Sequence, residues 1–97
     1  MLAQKEDASI DVKAFHQWAT SIASSESMHI YRIKGMLNVQ GDSRVYVFQG
    51  VCGELRGVFH RPWGEGEARV CDLVVIGKGL DEGEIRKGFD TTLHKAQ

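Results

Sequence analysis

Proline occurs once and cysteine twice in these 97 residues, no apolar run exceeds four residues, and neither sign of charge prevails. Each shortage excludes something. Two cysteines, Cys52 and Cys71, fall far short of the density that staples a small secreted scaffold, so a reducing compartment is the expectation. The longest apolar runs, Val45 to Phe48 and Leu73 to Ile76, compare with the ~20 residues that a membrane-spanning helix needs. The first 25 residues hold Lys5, Glu6, Asp7, Asp11 and Lys13 and no apolar stretch of signal length, which leads to the expectation of a cytoplasmic protein without a membrane partner. Twelve Lys and Arg stand against thirteen Asp and Glu, a formal net charge of -1, so no overall field draws the chain to nucleic acid or anionic lipid.

Motifs of chemistry are equally scarce. The phosphate-cradling pattern G-x-x-x-x-G-K-[ST] does not occur, which excludes a P-loop nucleotide site in this chain, and no G-x-S-x-G turn is present. The run Gly77-Lys78-Gly79-Leu80-Asp81-Glu82-Gly83 approaches a dinucleotide fingerprint with its spacing off by one. Only 14 residues follow Gly83, too few for the helix and second parallel strand of such a unit. No catalytic residue is assigned, and the chain is read as a non-enzyme.

What is present is a single-domain composition: 42% hydrophobic and 26% charged residues, enough apolar surface to collapse and too short a chain for two domains. Residues 1–8 carry little apolar content beyond Met1 and Leu2 and are read as a flexible start, with the domain over 9–97. Val12, Phe15, Trp18, Ala19 and Ile22 recur at helical spacing, which predicts a helix over 11–23 capped by Ser9 or Asp11. The period then changes to two. Tyr31, Ile33, Leu37 and Val39 alternate with Arg32, Lys34 and Asn38, the turn Gln40-Gly41-Asp42-Ser43 follows, and Arg44–Val51 forms a hairpin partner. A short strand is expected over Leu55–Phe59, then a loop over His60–Glu67, then a strand ending in Leu73-Val74-Val75-Ile76, a run that reads as buried on both faces. Asp81 with Glu84 makes a capping box variant, Leu80 with Ile85 a hydrophobic staple, and Ile85, Phe89, Leu93 and Ala96 line one face of a closing helix. The order predicts an α+β fold, an antiparallel-rich four-stranded sheet with two helices packed on one face.

Two groups of side chains remain as candidate sites. Arg32 and Lys34 project from one side of a strand, with Arg44 across the hairpin, as a patch for an anion or a protein; the alternative is an ordinary solvated sheet face. Trp63 is either a lid on the core or an anchor for a partner. Cys52, His60 and Cys71, with His29 beyond them, are the metal-ligating types, although no C-x-x-C or H-x-x-x-H spacing groups them, and small core cysteines explain them as well.

The segments Tyr31-Arg32-Ile33-Lys34-Gly35-Met36-Leu37, Val47-Phe48-Gln49-Gly50-Val51, Arg61-Pro62-Trp63 and Leu73 through Asp81, in this order, resemble the C-terminal domain of CobW-type GTPases, proteins linked to zinc delivery and cobalamin assembly. The resemblance covers about residues 9–94. It implies a non-catalytic accessory domain of a GTP-dependent metal chaperone whose P-loop lies elsewhere, with Arg32, Lys34 and Gly35 matching an R-x-K-G segment and Gln49-Gly50-Val51 a Q-G-V strand end. Partner contacts are therefore placed on Arg32, Lys34, Gly35, Gln49 and Trp63, and the partners implied are the family's GTPase domain or a metalloprotein client. The departures are Cys52 where histidine is common, Cys71 where serine is frequent and Lys78 where arginine is usual. They leave the alternative of an autonomous zinc module built on Cys52, His60 and Cys71. The family also implies a strand before Ser9; without it, an open sheet edge invites oligomerisation.

Overall fold

Both helices form where capping and spacing coincide. The computed structural model describes residues 1–51 and 53–94, the last of them by backbone alone. Helix α1 spans Val12–Ala23, and the Asp11 carboxylate accepts the Ala14 N–H at 3.1 Å, satisfying one of the donors that a helix start leaves free. Phe15, Ala19 and Ile22 fall on its buried side. Helix α2 spans Glu82–Thr91, capped by Asp81, which accepts from Glu84 N–H at 3.1 Å; Glu82 and Glu84 add negative charge to a first turn that favours it. Ile85 and Phe89 face inward, and the buried Thr92 hydroxyl donates to the Phe89 carbonyl at 2.7 Å, closing the last turn.

The sheet has one strand more than the pattern predicts. Strands β1 (Leu2–Glu6), β3 (His29–Asn38), β4 (Arg44–Val51), β5 (Glu54–Pro62) and β6 (Val70–Lys78) form an antiparallel sheet in the order β1-β6-β3-β4-β5. A two-residue ladder joins β2 (Ser9–Ile10) to β7 (Leu93–His94). The segment before Ser9 is thus paired: Leu2 sits opposite Val74 and Glu6 opposite Val70. Its sequence hides this because Ala3 is the one buried residue of the strand, and a single small side chain gives no visible alternation.

Two further corrections have the same physical root, a sheet covered on one side only. The run Leu73–Ile76 is not buried on both faces: Cys71, Leu73 and Val75 are fully buried, whereas Ile76 is 51% exposed. Strand β5 does not stop at Phe59 but runs through His60 and Arg61 to Pro62, opposite Arg44. Proline is acceptable there because β5 is an edge strand, where an N–H on the open side has no ladder partner to lose.

The core lies between the helices and the inner face of the sheet, where Ile33, Leu37, Phe48, Leu73 and Val75 meet Phe15, Ala19, Ile22, Ile85 and Phe89. Aromatic rings organise it. Phe15 meets Phe48 edge-on at 4.9 Å and Phe89 at 6.2 Å, and Trp18 tilts over Phe89 at 5.8 Å. At the periphery His16 Nε2 and the Tyr46 hydroxyl lie 2.5 Å apart, a hydrogen bond that joins α1 to β4, and burial pushes the Tyr46 phenol upward.

Candidate docking face

With both helices on one side, alternate residues of every strand point away from them. The register aligns these residues in three rows. Leu2, Val74, Lys34, Gln49 and Arg56 cross all five strands in the middle row. Ile76, Arg32, Val51 and Glu54 form the row on one side of it, and Gln4, Asp72, Met36, Val47 and Val58 the row on the other. Large apolar side chains lie open here: Leu2, Met36, Val51, Val58 and Ile76 are between 42% and 57% exposed. Contiguous exposed apolar surface of this kind marks a contact site more often than a solvated face.

Away from this face Lys13, Arg69, Lys78 and Lys87 form no ion pair among the described residues, and four other cations do: Lys5 with Asp90, Arg86 with Glu82, Arg44 with Asp42 and Arg61 with Glu67. The Arg61 guanidinium, donating to both Glu67 carboxylate oxygens at 2.9 Å, together with the Gly64 N–H, holds the Glu67 carboxyl at about 2. Arg44 donates to Asp42 through Nε and Nη2 and keeps that carboxyl below its ordinary range. On the open face Arg32, Lys34 and Arg56 also have no ion-pair partner among the described residues.

Of the partner-contact residues expected from the sequence, the structure brings Arg32, Lys34 and Gln49 together, Lys34 lying opposite Gln49. Gly35 is not part of that surface. It faces the helices, where an added Cβ would approach Asp72 O at 3.2 Å and the side chains of Leu37 and Leu73 at 3.4 Å, so its role is close packing. Trp63 is 8% exposed and its backbone N–H donates to Ser43 O at 2.9 Å, so its ring is buried and not an open anchor. Arg44 lies at the opposite end of the hairpin from Arg32, its guanidinium 4.4 Å from the Phe59 ring centre. Arg56, Met36, Val51, Val58 and Ile76 are not singled out by the sequence pattern. A period-two reading of Glu54, Arg56 and Val58 was the available signal.

The metal candidates do not converge. His60 is exposed on β5 and Cys71 is buried on β6, with β4 and β3 between them, a separation of roughly 14 Å at ordinary strand spacing. Cys71 Sγ lies 3.6 Å from Ala8 O and 3.8 Å from Asn38 O, and burial pushes its thiol up, away from the thiolate that binds metal. Cys52 lies outside the described residues. Among the described residues no three His, Cys, Asp or Glu side chains gather in a way that would hold a metal ion.

The architecture is that of an α+β domain, an antiparallel sheet backed by helices on one face and open on the other. The chain belongs to the family of the cobalamin synthesis protein cobW C-terminal domain, whose family model matches residues 2–93. It is 31% identical over 83 residues to the zinc chaperone YjiA of Escherichia coli (strain K12), covering 86% of this chain and 26% of that protein. Among solved structures it is similar to a Zn(II)-bound triple mutant of the YjiA GTPase, with a TM-score of 0.81 and 26% identity over 95% of this chain and 28% of the other. The Zn(II)-bound YjiA GTPase from E. coli matches with a TM-score of 0.79 and 27% identity over the same shares. The chain therefore spans about a quarter of the length of these relatives. No described helix is long and apolar enough to cross a membrane.

Proposed function

We propose that this chain is a non-catalytic accessory domain of a GTP-dependent zinc chaperone, working in the cytoplasm by protein contact with a P-loop GTPase domain of the same family. The observation that supports this most is the helix-free sheet face, where apolar side chains and unmatched cations lie open together. The family match and the lack of a P-loop motif support a reading in which nucleotide chemistry belongs to the partner. Zinc is then the partner's cargo. The alternative of a zinc module on Cys52, His60 and Cys71 has no support from the placement of His60 and Cys71.

Calorimetry tests this reading. Titrating the chain into YjiA truncated before its C-terminal quarter is expected to give a one-to-one complex, with background GTP hydrolysis by the chain alone. No complex would overturn the proposal. Tight one-to-one zinc binding by the reduced chain, lost in Cys52→Ser, would move the metal site into this domain and favour the alternative.

A further inference from the structure

We infer that the surface seated on the open sheet face presents carboxylates among apolar side chains, and that Arg32, Lys34 and Arg56 select it. This rests on the reading above, in which the occupant is the GTPase domain, and it specifies the chemistry of that contact. The middle row carries Lys34 and Arg56 and no acid, with Leu2 and Val74 beside them, and Arg32 is next to Ile76 and Val51. The apolar members supply burial on contact, while three cations without partners would be desolvated at a cost unless the occupant brings opposite charge.

Charge also decides against the other occupants. A second copy laid face to face on this one would bury Arg32, Lys34 and Arg56 of both chains with only Asp72 and Glu54 of each to answer them, an excess of positive charge. Juxtaposed like charges suppress such pairing. A single-stranded nucleic acid needs aromatic platforms, and the three rows contain no aromatic ring. Tyr31, next to Arg32, and Phe59, next to Val58, are exposed but stand outside the three rows, Trp63 is buried, and Arg44 is engaged by Asp42. Asp72 and Glu54, in the outer rows, further weaken attraction to a phosphate backbone.

The probe is the same truncated YjiA, titrated at low and high salt. The double variant Arg32→Glu/Lys34→Glu is expected to weaken binding by about 100-fold and Arg56→Glu by about tenfold, while Lys87→Glu, on the exposed side of α2, leaves it unchanged. Added salt weakens the wild-type complex. Should the double reversal fail to fold by circular dichroism, Arg32→Gln/Lys34→Gln replaces it, with about tenfold expected. Binding by wild type that all face variants retain would overturn the inference and leave the accessory reading intact; no binding by wild type would remove both. Self-association, or binding of a single-stranded oligonucleotide, that the double variant abolishes would also overturn it.

Discussion

Gly88 shows how a single atom fixes the helix packing. In an exposed helix the change from glycine to alanine adds about 1 kcal/mol of stability. Here an added Cβ would run into the Trp18 indole, which lies against α2 and over Phe89. Gly88→Ala is therefore expected to destabilise the chain by about 1–3 kcal/mol, measured by urea unfolding. A more stable variant would show that Trp18 does not occupy this place. Glu67 makes a second residue-scale prediction. Its carboxyl sits at about 2 against an ordinary 4.5, so the Arg61 and Gly64 contacts contribute fully above 4.5 and fade as the pH falls towards 2. The unfolding midpoints of wild type and Glu67→Gln should differ at neutral pH and converge across that window; a gap independent of pH would contradict the ion pair.

At the scale of elements, the starts of both helices and the β3–β4 hairpin were legible because each announces itself locally. Helix α2, however, ends at Thr91; Leu93, expected on its face, pairs with Ile10 instead, and Ala96 lies outside the described residues. Asp11 and Asp81 cap where expected, and Arg44–Val51 forms the strand its β-branched and aromatic residues predict. Strand β1 was not legible, since its pairing partner β6 lies some 70 residues away and only Ala3 touches the core. Nor was the half-exposure of β6, because Ile76 reads as core until the absence of a second covering layer is known. A test of β1 follows from the 2% exposure of Ala3. Ala3→Asp buries an uncompensated charge and is expected to cost about 3–5 kcal/mol by urea unfolding, whereas a frayed start would tolerate it without loss.

For the whole molecule, the four-to-five-strand difference leaves the α+β class unchanged, and two of the expected contact cations, Arg32 and Lys34, do share an open face. Arg56 escaped notice because it joins them only through the ladder from β3 to β5, a relation that sequence spacing does not express. The metal candidates failed for the converse reason: residue type drew His60 and Cys71 together, and strand order separates them. Both helices lie on one side of the sheet; the other is open, and we propose that a partner covers it.

That division is most directly tested by nuclear magnetic resonance on isotope-labelled chain titrated with truncated YjiA. The account predicts that the shifted signals gather on Arg32, Lys34, Gln49, Arg56, Val74 and Ile76, with the outward residues of α1 and α2 unmoved. Shifts confined to the helices, or none at saturating partner, would contradict it.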